Sequence, residues 1–187
     1  MNIALTWDLV LVSVLLIVFV YNFLLGQKAT IKIIISNYIA ILTADGVVDF
    51  FEKFVLQHLP GIQSLIADSQ QTVFMIMRIA LFALAILTFV LRGGFHVNLA
   101  HHDHWMTRTA VHGMFSLLSA NLFVATILIY LSGDSFIEGM VFAAQGSSSI
   151  YQDSSFAKVL MDYYQLWFSL PAIAFLTTSF FFDPTED

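Results

Sequence analysis

The chain has 187 residues, of which 59% are hydrophobic and 11% charged, and its mean hydropathy is +0.85. A soluble domain carries about 25% charged residues. This composition leaves too little polar surface to cover a water-soluble globule, so lipid must solvate much of the exterior. The net charge of −6 disfavours nucleic acid as a partner, and the absence of Cys excludes disulfides and thiolate sites.

The predicted class is an all-α, polytopic membrane helical bundle forming a single integral domain over residues 1–187, with about five spans. The first span runs over residues 9–25, with Trp7 as an interfacial anchor. The segment before it has no Lys or Arg and carries Asp8, which is unlike a cleavable leader, so this span is expected to be retained. The turn Gly26-Gln27-Lys28 leads into a shorter second run over 29–44, which holds Lys32 and Asn37. That run either crosses fully or dips in beside the others.

Asp45-Gly46 interrupts the apolar pattern. Beyond it Val47, Phe51, Phe54, Val55 and Leu59 recur at helical spacing, with Asp49, Glu52 and Lys53 between them. The pattern predicts an amphipathic helix over 47–59 lying along the membrane surface and ending at Pro60-Gly61. Two further apolar runs, 73–91 and 110–131, each reach the roughly 18 residues of a span. They form a hairpin around the tip GGFHVNLAHHDHWMTR. A short apolar segment over 136–144 reads as a second interfacial or re-entrant helix. The last span covers 160–182, with Tyr163, Tyr164 and Trp167 as an aromatic belt and Pro171 as the expected kink.

Lys28, Lys32, Arg92 and Arg108 flank two turns on one side, against Lys53 and Lys158 on the other. The positive-inside bias puts both basic turns in the cytoplasm. The N-terminus is then outside and the C-terminus inside.

Three features carry candidate chemistry. The hairpin tip supplies His96, His101, His102 and His104 beside Asp103, a set suited to zinc, nickel or copper. Its spacing matches no HExxH arrangement. The alternative is a solvated polar tip that protonates at about pH 6. Only His112 lies inside a span, so a haem held by two facing histidines is not expected, and no cofactor is otherwise implied.

The second feature is Arg78, a charge inside the third span and a functional-site candidate on that ground. At its depth the side chain can snorkel to the headgroups; otherwise Asp8, Asp162 or Asn121 would pair with it. The third is a small-residue stripe on the fourth span, Gly113, Ser116 and Ala120, with Asn121 beside it. Such residues let helices approach closely in lipid. The partner is either the third span or another copy of the chain. No GxSxG sequence, Gly-rich phosphate loop or repeated carboxylate pair within the membrane argues for catalysis, and the spans are too few for an inverted-repeat transporter in one chain.

The order of these features resembles the colicin V production protein family of bacterial inner-membrane proteins. The points of similarity are Trp7-Asp8 at the head of the first span, and Gly26 with Lys28 and Lys32 after it. The outer amphipathic segment, the paired spans and the stretch from Thr107 to Gly113 continue the likeness, which covers residues 3–131. The family often has a second glycine in the first turn, where this chain has Ala29 and Thr30, and its hairpin tip is not rich in histidine. The resemblance implies a non-enzymatic inner-membrane scaffold or assembly subunit linked to secretion or envelope homeostasis, with no catalytic residues to carry across. Such a protein would sit in the lipid bilayer as a homo-oligomer or as a subunit of a membrane complex. The alternative is an ion- or metal-handling channel or transporter subunit that uses the histidine-rich tip.

Overall fold

The computed structural model describes residues 6–58, 69–92, 105–135 and 149–181. Within these the fold is all-α, in the order α1 (Trp7–Leu25), α2 (Gln27–His58), α3 (Gln70–Arg92), α4 (Trp105–Leu131), α5 (Ser149–Asp153), α6 (Ser155–Asp162) and α7 (Tyr164–Phe181). Four of the helices are long and apolar enough to cross a membrane, or five if the bent pair α6–α7 counts as one span. The expected interfacial segment 136–144 lies outside the described residues, as does the histidine-bearing tip over 93–104.

One residue joins α1 to α2. Gly26 has φ +88, a region that side-chain-bearing residues seldom adopt, and so stops α1 and reverses the chain. The Thr30 hydroxyl then donates to the carbonyls of Asn22 at 2.9 Å and Gly26 at 3.1 Å. Carbonyls at the end of α1 that lack a partner within their own helix are satisfied by the helix that follows.

The expected break at Asp45-Gly46 does not occur. The second span and the predicted surface helix are one 32-residue helix, α2. A helix-interior glycine costs roughly 1 kcal/mol relative to alanine, and here packing overrides it. Asn37, Ile41, Ala44, Asp45 and Val48 are fully buried along one face, so the stripe runs through the glycine without a change of phase. Beyond Gly46, α2 keeps packing against α3, and Gln70 Nε2 donates to Glu52 Oε1 at 3.3 Å.

Helix α4 is the centre of the bundle. Its apolar window is 67% buried, against 11% for that of α1, and it touches α1, α2, α3, α6 and α7. One core cluster joins Leu11 of α1 and Val124 and Leu128 of α4 to Leu160 and Met161 of α6. A second joins Ile41 and Ala44 of α2, Phe82 of α3, and Leu122, Ile129 and Tyr130 of α4. The helix ends in a Schellman motif at Gly133 (φ +85). The Asp134 amide donates to Ile129 O at 3.2 Å and the Gly133 amide to Tyr130 O at 3.0 Å.

The last predicted span is broken. Its axis bends by 61° between α6 and α7, at Tyr163. Pro171, the expected kink site, sits inside α7. Proline there denies the Trp167 carbonyl its usual donor. One position along, the Phe168 carbonyl accepts a hydrogen bond from the Tyr38 hydroxyl, whose ring stands edge-on to Phe168 at 5.0 Å. Contact with α2 therefore supports the backbone beside the proline.

Candidate functional site

Asp45 and Asp49 lie one turn apart on α2 and so project from the same face. Arg78 of α3 reaches between them. Its Nη2 donates to Asp49 Oδ1 at 2.8 Å, and its Nε stands 3.8 Å from Asp45 Oδ1. Its Nη1 approaches the Gly133 carbonyl at 3.4 Å, just beyond the C-terminus of α4. All three charged residues are buried, at 5%, 9% and 0% exposed for Arg78, Asp49 and Asp45. The Tyr130 hydroxyl closes the cluster, shared between the Asp45 carboxylate and the Ile41 carbonyl at 3.4 Å.

The cluster balances opposing terms: Arg78 gains from two carboxylates, yet the three side chains together carry a net −1 when both are ionised, and the buried Arg78 Nε has no hydrogen-bond partner. An isolated buried ion costs several kcal/mol, which only good geometry and extra hydrogen bonds offset. Here one cation faces two carboxylates, and the negative end of the α4 dipole adds to their field. The guanidinium links α2, α3 and the end of α4, most closely through Asp49.

Arg78 therefore does not snorkel, and none of its expected partners pairs with it. Asp8 instead accepts from the Ser154 hydroxyl at 2.5 Å and the Phe156 amide at 3.0 Å. Ser154 in turn caps α6 by accepting from the Ala157 amide at 2.9 Å, so Asp8 ties the start of α1 to the start of α6. Asp162 accepts from the Tyr151 hydroxyl at 2.9 Å. Asn121 turns back on its own helix, its Nδ2 donating to Leu117 O at 3.0 Å.

Residues of the small stripe lie inside the chain's own bundle. Ser116 and Ala120 are fully buried. A side chain at Gly113 would start 4.0 Å from the Phe23 ring of α1, and Phe23 stacks on His112 at 4.8 Å. The helix close to Gly113 is thus α1, which was not among the partners expected for the stripe.

His96, His101, His102 and His104 lie outside the described residues. Among the described residues no group of three or more His, Cys, Asp or Glu is placed to hold a metal. The residues that sequence reasoning missed are Asp45 and Asp49, assigned to a break and to a solvated face. Their spacing of four, in phase with Ile41, Ala44 and Val48, was the available signal. Comparisons with protein-family models, curated proteins and solved structures gave no match.

Proposed function

We propose that this chain is a multi-pass bacterial inner-membrane protein that serves as a non-enzymatic scaffold or assembly subunit, with the basic turns in the cytoplasm. The membrane reading rests on the long apolar helices and on what they present outward: Leu24 is 79% exposed, Ile17 65% and Leu16 57%. Asp8 and Asp45 lie 18 and 19 residues from Gly26, so both stand about 27 to 29 Å from the α1–α2 turn at helical rise. With that turn at one face of a hydrocarbon core about 30 Å thick, both polar clusters fall at the opposite boundary.

The observation that carries the scaffold reading is the closure of Arg78 by Asp49, Asp45 and the Gly133 carbonyl. A charge enclosed in this way braces three helices and turns no reactive group towards a path. The likeness to colicin V production proteins supports secretion or envelope homeostasis as the setting. Reconstitution into liposomes tests the reading. The wild-type chain should carry no proton or cation flux, and native mass spectrometry in mild detergent should show two or more copies or a stoichiometric partner. A flux abolished by Asp49→Asn would overturn it in favour of an ion path, and a partnerless monomer would remove the assembly role.

A further inference from the structure

A cavity of about 490 Å³ lies between α1, α2, α3 and α4. That volume falls within the roughly 300–1,000 Å³ of small-molecule sites. Its walls are elongated: on α4 they extend from Ser119 to Leu131, about 18 Å at helical rise. Helix α1 packs mainly on α4, and α3 mainly on α2. Most of the surface is apolar, and Phe82, Ile86 and Phe123 are among the residues that line it. Among the described residues, no carboxylate, ammonium, guanidinium or imidazole lines it.

Three polar side chains stand out in this wall. Asn22 is 1% exposed, and Asn37 and Ser119 are fully buried. The Asn22 Nδ2, both polar atoms of the Asn37 amide and the Ser119 Oγ have no hydrogen-bond partner. Buried polar groups in folded proteins nearly always find partners. These atoms present almost no surface to the cavity as it stands, so a ligand would bring the missing partner by drawing the three side chains towards it.

We propose that this cavity binds a neutral, membrane-soluble amphiphile, an elongated apolar molecule bearing a carbonyl oxygen, with Asn22, Asn37 and Ser119 supplying its hydrogen bonds. The uncharged wall disfavours a phosphate or carboxylate headgroup, because burying an unpaired anion is costly. Amide and hydroxyl donors suit a carbonyl oxygen, and the acceptor of Asn37 is left for a hydroxyl. The carbonyl could belong to the ester of a neutral glycerolipid or to the ring of an isoprenoid quinone. Entry from lipid rests on the membrane reading proposed above.

The membrane reading is checked first and separately, by co-flotation of the chain with liposomes after an alkaline wash. Its failure there leaves the ligand experiment to stand alone. Thermal melting of the full chain in mild detergent is then followed with two probes, decylubiquinone and dioleoylglycerol. A ligand that binds only the folded state raises the melting temperature in a saturable way. At least one probe should do so by several degrees. Asn37→Leu should weaken that probe's apparent affinity at least tenfold, and the milder Ser119→Ala severalfold. A response to decylubiquinone alone assigns a ring carbonyl, a response to dioleoylglycerol alone assigns an ester, and a response to both supports recognition of the carbonyl itself. No shift with either probe, or a shift unchanged in both variants, would overturn the proposal.

Discussion

Arg78 and Asp49 are 29 positions apart in the chain and meet at 2.8 Å inside the bundle. Each would be an expensive buried charge alone, and together they fix the register of α2 against α3. Removing either partner should therefore leave the other buried without its closest counter-charge. Arg78→Met leaves Asp45 and Asp49 facing each other without a cation, at a cost of about 3 to 5 kcal/mol. The double variant Arg78→Met/Asp49→Leu should lose less than the sum of the two single changes. Thermal melts of the four proteins in one detergent complete the cycle. Additive losses would show that the pair contributes no coupling.

Gly133 supplies a second test at the same end. Its φ of +85 is strained for any residue with a side chain, and a Cβ there would meet Gln71 Nε2 at 2.6 Å. Gly133→Ala should cost about 1 to 2 kcal/mol from backbone conformation alone. Gly133→Asn should cost less through the backbone, since Asn tolerates the left-handed region. Shortening Gln71 to Ala in the Gly133→Ala background should recover only the side-chain contact. Denaturation midpoints of the three variants separate the two effects.

Ala120 is fully buried on the central helix, whereas Leu117, one turn earlier, is 45% exposed. Ala120→Leu should overpack the bundle and lose about 1 to 3 kcal/mol. Leu117→Ala should change melting little in mild detergent. Phe123→Leu should cost more than Leu117→Ala, because the Phe123 ring packs against Phe82 with centroids 5.9 Å apart. Equal melting of the Ala120 and Leu117 variants would place the packed face of α4 elsewhere.

Ser154 joins two jobs in one hydroxyl, capping α6 and donating to Asp8. Loss of an N-cap typically costs about 0.5 to 2 kcal/mol. Ser154→Ala should fall at the upper end of that range, because the Asp8 carboxylate also loses a donor. In an Asp8→Asn background the same substitution should cost less. Melting temperatures measured in both backgrounds check the difference.

The continuity of α2 makes a topological prediction. Lys28 and Lys53 are exposed near opposite ends of the helix. In this cysteine-free chain, Lys28→Cys and Lys53→Cys should label from opposite sides of the membrane. Asn98→Cys should label from the same side as Lys28→Cys, as the positive-inside bias requires. Labelling of Lys28→Cys and Lys53→Cys from one side would mean that α2 does not cross.

The sequence by itself determined the helical class and the approximate places of α1, α3 and α4. Runs such as Val73 to Leu91 are too long and too apolar for other assignments, and Gly26 marks a turn by its own backbone freedom. It also singled out Arg78, because a charge inside an apolar run is costly wherever it lies. Only the tertiary structure decided what Arg78 meets. Asp45 and Asp49 read as a break and a wetted face because a one-dimensional pattern scores a carboxylate as solvent-facing. Ion pairing with a residue 29 positions away reverses that score, and the buried stripe from Asn37 to Val48 carries α2 through Gly46. The bend at Tyr163 was hidden for a similar reason. Proline announces a kink locally, but where a helix turns aside depends on what its two halves pack against: α6 on Leu11 and Leu128, and α7 on Tyr38.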